Sequence, residues 1–444
     1  MVNPTHEQSE AVDAYGDGLD LVLQAGAGCG KSSTLKMIAR SDPRRRMTYV
    51  AYNSAIAADA RRSFPGTVLC KTGHGLAFDP KYGRRLQRPR QTAHQAAQAL
   101  DVRSILGIIG ATPTIPTDLG HPKAMTSKVI MRMALDTVSR FCHSADDEIT
   151  ARHIPHYDGL TKKKARAELE QLVLPVARAA WEDLKHDESV LNLSHDHYLK
   201  MWALSRPTIP TDVVLLDEAQ DTNDVLSAVL LAQEHAQRIA VGDSAQQIYS
   251  WRGANDALAK FVRELGCPEL TQSQSFRFGP AIAARANIWL RLIEAPLRLT
   301  GWEGAESTVG PLDAPDAILC RTNAGAMGIV MEGLAAAEED GSLEVLVKLI
   351  DEHGPDRIVA AADGLCSEAQ AELVVSTAHR SKGREWPAVR IHADFRAPKP
   401  DQDTGLVILP REEARLAYVA VTRAREQLDD TALAWVRDVT AVSE

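Results

Sequence analysis

A glycine-rich stretch, QAGAGCGKSS, begins at residue 24 and contains a single lysine, Lys31. Glycine has no Cβ, so alternate glycines allow a sharp turn whose backbone N–H groups point inward around an anion. In the P-loop pattern, a lysine at this position reaches the β and γ phosphates of a nucleotide, and the serine after it, here Ser32, holds Mg²⁺. A flexible glycine turn without a ligand is the alternative. The stretch predicts a site for a nucleoside triphosphate.

The residues on either side predict the elements that position this loop. The apolar run at 21–23 predicts a buried strand, and residues 32–39 can form a helix. The N-terminus of that helix would face the same anion as the loop. Ala25 stands where the general pattern has its first glycine. The predicted nucleotide contacts of the loop are Ala25, Gly26, Ala27, Gly28, Cys29, Gly30, Lys31, Ser32 and Ser33.

Two adjacent acids follow a second apolar run, in DVVLLDEAQD from Asp212 to Asp221. Phosphoryl transfer needs a metal clamp and an oriented nucleophile. We therefore expect Asp217 to anchor Mg²⁺ through water and Glu218 to polarise the attacking water. A solvated loop or a helix N-cap is the alternative for such a pair.

A third strand, predicted at 239–241, runs into GDSAQQIYSWRGA. Gln246 in this stretch is the candidate sensor of the γ phosphate. Tyr249 and Trp251 lie beside Arg252, and exposed rings next to a cation offer faces on which unpaired bases stack. Two aromatic residues at alternate positions can also belong to a core, but the polar neighbours favour the stacking role.

Composition limits the class of protein. With 444 residues, 45% hydrophobic and 25% charged, the chain predicts a globular protein with mass for about three domains. It has no apolar run of membrane-spanning length and no signal-peptide pattern, so we expect a cytoplasmic protein without a membrane partner, near the nucleoid in a bacterium or in the host cytoplasm for a phage. The net charge of −9 argues against a surface coated in nucleic acid, although a basic groove is compatible with it.

Histidines are frequent between residues 143 and 197, where the sequence includes HDH, and they raise the alternative of a metal site. Metal sites need convergent ligands with supporting hydrogen bonds. No HExxH pattern is present, and the six cysteines of the chain include no CxxC pair. Mg²⁺ at the nucleotide is therefore the only metal that we predict.

Taken together, these motifs resemble those of superfamily 1A DNA helicases of the UvrD/Rep/PcrA type. The resemblance extends through AGAGCGKSS, LLDEAQD, VGDSAQQIYSWRGA, LTQSQSFRFGPAIAARAN, VVSTAHRSKGREWPAVRI and EEARLAYVAVTRAREQL. The wording of AYNSAIA and FPGTVLCKTGHGLAF is most similar to the F-box DNA helicase branch. The resemblance implies a DNA-dependent ATP hydrolase that uses Mg²⁺.

The resemblance also implies roles for residues outside the loop and the acids. Gln8 would read adenine, and Phe276 would pack on it. Glu385 would contact the ribose. Arg277 would touch the γ phosphate, and Arg423 would act as a second arginine finger.

The implied partner is single-stranded DNA, including its junctions with duplex. Its contacts would be Tyr52, Thr72, His74, Tyr249, Trp251, Arg252, His379 and Lys382. Basic runs at 80–90 and 162–166 could follow phosphates, although charge runs are usually solvated. We expect a monomer, and no motif in the sequence identifies a protein partner.

The fold class implied is α/β, with two RecA-like P-loop lobes built on parallel sheets and a mostly helical insertion in the first lobe. We expect lobe 1A at 1–76 and 206–266, the insertion 1B at 77–205, and lobe 2A at 267–444. Only residues 322–371 join the two motifs between which UvrD-like enzymes usually hold a 2B subdomain. A 2B subdomain is therefore expected to be absent or vestigial there.

Three functions remain open. The first is a helicase that translocates on single-stranded DNA, with 3′ to 5′ polarity implied by the resemblance. The second is a translocase that removes bound proteins and unwinds little, which a missing 2B would favour. The third is a nucleotide-switched DNA-binding module with a degenerate motor. Repair, recombination and phage replication are equally compatible settings.

Overall fold

Two parallel β-sheets organise the protein in a computed structural model that describes residues 4–248, 257–337, 368–401 and 404–443. The first sheet has six strands, and each pairs with its neighbours in the parallel sense. Their order across the sheet is Val68–Thr72, Met47–Ala51, Val213–Leu216, Gln237–Gly242, Leu21–Ala25 and Glu269–Gln272.

Helices cover both faces of this sheet, as a parallel sheet requires. Alternate residues of one strand serve different faces: Leu21 and Leu23 belong to one apolar cluster, and Val22 to another. Helices Lys31–Ser41 and Ser54–Ser63 pack on the first face. Helices Asp224–Leu231 and Ala257–Leu265 pack on the second. His6–Gly16 and Gly73–Ala77 complete the helices of what we call the first lobe.

The insertion between Gly73–Ala77 and Val213–Leu216 is mainly helical and has an apolar core of its own. Its two longest helices, Ser127–His143 and Lys163–Lys185, line this core. One antiparallel hairpin, Thr114–Pro116 with Pro122–Ala124, accompanies them. The remaining helices are Gly83–Leu86, Ala93–Ala99, Val102–Ile105 and His195–Leu204.

The second sheet has five parallel strands and, with its helices, forms what we call the second lobe. Their order is Thr308–Val309, Ala424–Asp429, Trp386–Ile391, Ala317–Cys320 and Val374–Thr377. The helices are Pro280–Leu292, Asn323–Ala337, Ala378–Ser381 and Arg411–Val421. Two short parallel pairs are Gln274–Ser275 with Thr300–Gly301, and Ile408–Pro410 with Ala441–Ser443. The parallel sheets confirm the predicted α/β fold class.

The first sheet extends past the boundary that we predicted at residue 266. Strand Glu269–Gln272 pairs with Leu21–Ala25 and forms the edge of the first sheet, so the passage between lobes begins after Gln272. Half of the residues of this strand are exposed, and they form no apolar run. The sequence pattern therefore does not predict a strand here.

The predicted loss of a 2B subdomain concerns a stretch of which residues 338–367 lie outside the described part. On either side of it, the structure has helix Asn323–Ala337 and a 3₁₀ turn, Glu368–Gln370. Among the described helices, none combines the length and the apolar character needed to cross a membrane.

Candidate active site

The glycine loop joins strand Leu21–Ala25 to helix Lys31–Ser41, as its sequence predicts. Gly28 and Gly30 have φ angles of 74° and 81°, in the left-handed region that glycine adopts without a steric cost. No described side chain caps the helix at Gly30. The N–H groups of the first helical turn therefore remain available to an anion, and the loop fits a triphosphate.

The chain segment that links the two sheets lies directly against this loop. The backbone N–H of Phe276 donates to the Gly28 carbonyl at 2.9 Å. A Cβ added to Gly28 would lie 2.6 Å from both the Arg277 Cβ and the Ser275 Oγ. Gly28 is therefore needed for close approach as well as for its backbone angle, and the residues predicted to hold adenine and the γ phosphate reach the loop.

Asp217 is held by hydroxyl groups from two other elements. Its Oδ2 accepts from Ser32 Oγ at 3.1 Å and from the Tyr49 hydroxyl at 2.5 Å. Burial, together with the charge of Glu218, raises the pKa of Asp217. Carboxylate and hydroxyl oxygens are hard ligands of the kind that Mg²⁺ prefers. Ser32 and Asp217 therefore fit the predicted metal.

Glu218 lies beside the loop lysine, with its Oε1 3.9 Å from the Lys31 Nζ. Burial by itself favours the neutral form of each partner, so it would lower the pKa of Lys31 and raise the pKa of Glu218. The carboxylates, Glu218 first, outweigh burial and raise the pKa of Lys31. In the same way, the ammonium groups of Lys31 and then Lys382 outweigh burial and lower the pKa of Glu218. Glu218 is thus ionised, which a group that accepts a proton from water requires.

The glutamine predicted as a sensor lies between the lobes. Gln246 Nε2 donates to Asp243 Oδ2 at 2.6 Å, and Gln246 Oε1 accepts from Arg423 Nη2 at 3.3 Å. Arg423 is only 1% exposed, and burial, followed by repulsion from Arg277, lowers its pKa to about 9. The second lobe therefore places a desolvated arginine on a polar group of the first lobe.

The other predicted arginine is fixed by the second lobe. Arg277 Nε donates to Glu385 Oε2 at 2.5 Å, and its Nη1 donates to the Thr422 carbonyl at 2.9 Å. Because Thr422 precedes Arg423, both arginines converge on one turn after helix Arg411–Val421.

Lys382 lies in the same cleft, although we expected it at the DNA. Its Nζ donates to the Gln246 carbonyl at 2.7 Å and forms an ion pair with Asp221. Burial raises the pKa of Asp221 to about 6, although Lys382 opposes that rise. The amine follows the short helix Ala378–Ser381, whose end faces the acids of the first lobe. Lys382 therefore links the second lobe to the first by a hydrogen bond and an ion pair.

A cavity of about 610 Å³ lies next to the loop and contains three residues predicted to hold the nucleotide. It is lined by Phe276, Arg277, Trp302, Ala305, Glu306, Thr308, Glu385, Arg425, Glu426 and Gln427. Gln8 lies near it: the Gln8 Oε1 accepts from the Thr5 N–H at 3.2 Å, and both the Gln8 Nε2 and the Phe276 ring lie beside Gly30. The structure thus brings the predicted base and ribose contacts together.

The predicted DNA contacts are less uniform. Thr72 caps helix Gly73–Ala77 by accepting from the Gly75 N–H at 2.9 Å, and His74 Nε2 lies 3.1 Å from Asp196 Oδ1. Tyr52 and His379 are half buried. Tyr249, Trp251 and Arg252 lie outside the described residues. A path for the strand therefore stays a prediction.

Four histidines of the insertion have structural partners: His143, His153, His195 and His197. His143 pairs with Asp196, and His197 Nδ1 accepts from the Ser194 N–H at 3.1 Å. In the described part of the chain, the one group of three or more His, Cys, Asp or Glu residues with ligand atoms close enough for a metal is Cys320, His392 and Asp394. The oxygens of Asp394 already accept from the backbone N–H groups of Arg321 and Thr322.

Three residues at the site were missed by the sequence reasoning: Tyr49, Asp243 and Tyr418. Asp243 and Tyr418 lie within quoted motifs, and Tyr49 lies two residues before AYNSAIA. The role of each depends on a partner far along the chain: Tyr49 bonds to Asp217, and Tyr418 bonds to Asp243. Tyr418 carried one signal, because it is the tyrosine on an otherwise apolar run of helix Arg411–Val421.

The parallel sheets, the glycine loop at a strand end and the paired acids after another strand define a P-loop protein with two RecA-like lobes. Residues 124–263 match the UvrD/REP helicase N-terminal domain, and residues 357–430 match the UvrD-like helicase C-terminal domain. The chain thus matches both the N-terminal and the C-terminal domain of UvrD-like helicases, which confirms the resemblance.

Relatives of this chain carry F-box DNA helicase names. The chain is 28% identical to F-box DNA helicase protein 1 of Schizosaccharomyces pombe, over 96% of this chain and 57% of that protein. It is 27% identical to F-box DNA helicase 1 of Gallus gallus, over 96% of this chain and 49% of that protein. The chain therefore spans about half the length of these relatives. The PRRSV helicase structure matches 51% of this chain and 36% of its own at 16% identity, and its TM-score of 0.28 supports no argument.

Proposed function

We propose that the protein is an ATP-dependent DNA motor that hydrolyses ATP between its two lobes and moves along single-stranded DNA. The observation that carries this proposal is the contact of Arg423 with Gln246, since it joins a second-lobe arginine to a first-lobe sensor beside the candidate acids. An arginine finger of this kind contributes roughly 10³ to 10⁵ in rate.

The residues divide the chemistry among them. The N–H groups of the loop and Lys31 bind the β and γ phosphates, and Ser32 and Asp217 would hold Mg²⁺. The metal would supply positive charge that neutralises the phosphates. Glu218 is ionised beside Lys31 and orients the attacking water. The guanidinium groups of Arg277 and Arg423 stabilise the charge that develops on the transferred phosphoryl group.

Coupling to motion follows from where these groups come from. The loop and the acids belong to the first lobe, while Arg423 and Lys382 belong to the second. A site that is complete only when two lobes meet links the state of the nucleotide to the distance between lobes. Each lobe would hold one contact to the bound DNA strand. Alternate closing and opening of the cleft would move these two contacts along the strand in turn.

DNA as the substrate is supported by the printed names of the relatives, which are DNA helicases. The 3′ to 5′ direction and the preference for a single strand rest on the resemblance in the motifs. Unwinding would require the moving strand to leave its complement at a junction.

A translocase that clears proteins from DNA with little unwinding is the second candidate. The short connection at residues 322–371 favours it, since UvrD-like enzymes usually hold their 2B subdomain there. A nucleotide-switched DNA-binding module is the third candidate.

ATP hydrolysis with and without single-stranded DNA tests the proposal against the switch. We expect DNA to stimulate phosphate release and Lys31→Ala to abolish it. A rate of hydrolysis that DNA does not change, or that persists in Lys31→Ala, would contradict the proposed motor function. Duplexes with only a 3′ or only a 5′ tail then separate the helicase from the translocase: displacement from the 3′ tail alone supports the helicase, and no displacement by an active ATPase supports the translocase.

A further inference from the structure

Tyr418 lies at the centre of the contact between the lobes. It belongs to helix Arg411–Val421 and is fully buried. Its hydroxyl oxygen lies 3.3 Å from the backbone N of Ala27 in the glycine loop and 3.0 Å from Asp243 Oδ2. The hydroxyl accepts from the loop N–H and donates to the carboxylate. One second-lobe atom thus joins two separate elements of the first lobe.

The hydrogen bonds of Asp243 fix the orientation of its neighbours. Its Oδ2 accepts from both the Tyr418 hydroxyl and Gln246 Nε2, and its Oδ1 accepts from the Ala245 N–H at 3.0 Å. Because both oxygens of Asp243 accept hydrogen bonds from these neighbours, the NH₂ group of Gln246 faces Oδ2. The amide oxygen of Gln246 must then face Arg423. The donor and the acceptor of each hydrogen bond between the glycine loop and Arg423 are therefore fixed.

We propose that Tyr418 is a positioning residue of the hydrolytic site, whose hydroxyl holds Asp243 so that Gln246 presents its amide oxygen to Arg423. Through the Ala27 N–H, the same hydroxyl ties the geometry of the phosphate loop to the arginine finger. This inference rests on the proposed function and assigns part of its coupling between lobes to one oxygen atom.

The hydroxyl can be separated from the ring by experiment. The ring lies within the apolar cluster that continues through both lobes, and phenylalanine would keep that packing. Burial raises the pKa of Tyr418, so its hydroxyl stays protonated and remains a donor across the neutral range. Tyr418→Phe therefore removes one donor from Asp243 and one acceptor from the Ala27 N–H.

The insertion provides a matched control. The Tyr157 hydroxyl donates to Asp136 Oδ2 at 3.2 Å, which is also a tyrosine–aspartate hydrogen bond, but Tyr157 is half buried and packs against the core of the insertion. Tyr157→Phe thus removes the same kind of bond away from the cleft.

Steady-state ATP hydrolysis with saturating single-stranded DNA is the test. We expect Tyr418→Phe to lower kcat about tenfold or more with KM for ATP changed less than about threefold, because the bond acts on the reacting arrangement and not on nucleotide affinity. Tyr157→Phe should keep both values within about twofold of wild type. Equal kinetics of the two variants would overturn the inference and leave the proposed function standing, whereas an inactive wild type would overturn both.

A second pair of variants separates positioning from a general loss of structure. Asp243→Asn keeps the shape but can present an amide NH₂ to Gln246, so it should reproduce the kcat loss at unchanged KM. Tyr418→Phe combined with Gln246→Ala should be no slower than Gln246→Ala alone, since both act through one group. A wild-type kcat in Asp243→Asn, or additive losses in the double variant, would contradict the positioning role of Tyr418.

Discussion

At the scale of single residues, the site depends on hydroxyl groups that hold buried carboxylates. Asp217 is bonded by Ser32 and Tyr49, and Asp243 by Tyr418. The loop lysine, the serine and the adjacent acids are predictable from the sequence, because each follows directly on an apolar strand. The two tyrosines are not predictable, since their partners lie 168 and 175 residues away along the chain.

Tyr49→Phe tests the support of the metal carboxylate. Groups that orient a metal ligand typically contribute about 10 to 100-fold to metal affinity. We expect a roughly tenfold rise in the Mg²⁺ concentration that gives half-maximal hydrolysis. The Mg²⁺-dependent part of the binding of a fluorescent ADP analogue should weaken in parallel. Tyr157→Phe is the control, and an unchanged Mg²⁺ dependence in Tyr49→Phe would reject the supporting role.

Glu218→Gln tests the group that orients water. Glutamine keeps the length of the side chain but cannot accept the proton, so kcat should fall about 10²-fold or more. ATP affinity, measured with the same fluorescent analogue in competition, should be retained or increased, because a negative charge near the γ phosphate has been removed. A variant that hydrolyses ATP at the wild-type rate would show that another residue has this role.

At the scale of elements, helix His195–Leu204 shows how an ionisable side chain can be structural. Ser194 and His197 form a capping box in which the ring Nδ1 accepts from the Ser194 N–H. Because Nδ1 must be unprotonated to accept, this bond requires neutral imidazole. Burial lowers the pKa of His197 to about 4. HDH in the sequence raised a metal site as an alternative, and the actual role needed the buried environment to be known.

The stability of the insertion should therefore depend on pH. The pKa of His197 is below its unfolded value of about 6.5, so its contribution is present above pH 6.5 and is lost as pH falls through 4. The loss should approach about 3 kcal/mol in the free energy of unfolding. Urea denaturation between pH 7 and 4.5 measures it. His197→Gln, which can still cap the helix, should reduce this dependence, and an unaltered slope would contradict the assignment.

Among the strands, those with continuous apolar runs are predictable, such as Val213–Leu216. Glu269–Gln272 is not, because it forms an edge and half of its residues are exposed. Its place is set by pairing with Leu21–Ala25, which a local pattern cannot reveal.

At the scale of the whole molecule, polar ties and apolar packing join the lobes. One apolar cluster contains Leu23 and Leu35 of the first lobe together with Leu319 and Val419 of the second. Buried polar ties lie beside it, including the pair of Lys382 with Asp221. The motifs implied two lobes that meet at a nucleotide. They did not indicate that Lys382 belongs to the cleft, since its partner is in another motif.

Lys382→Ala should destabilise the protein by about 3 kcal/mol or more, because it leaves the Asp221 carboxylate buried without its cation. The double variant Lys382→Met with Asp221→Leu should recover much of this loss, since it removes both charges. Lys185→Ala breaks an exposed pair with Glu182 and should cost about 0.5 kcal/mol or less. Urea denaturation at neutral pH compares the three proteins. Equal stability of Lys382→Ala and Lys185→Ala would contradict the structural role of the buried ion pair between Lys382 and Asp221.

The central claim is that hydrolysis needs both lobes, and Arg277→Ala tests it most directly. Arg277 is bonded to Glu385 and to the Thr422 carbonyl, so its guanidinium belongs to the second lobe while its backbone touches the glycine loop. The measurement is the rate of phosphate release with saturating ATP, Mg²⁺ and single-stranded DNA. The account predicts a loss of about 10³-fold for Arg277→Ala and no loss for Arg396→Ala, an exposed arginine of the same lobe. Hydrolysis by Arg277→Ala at the wild-type rate would contradict a site shared between the lobes.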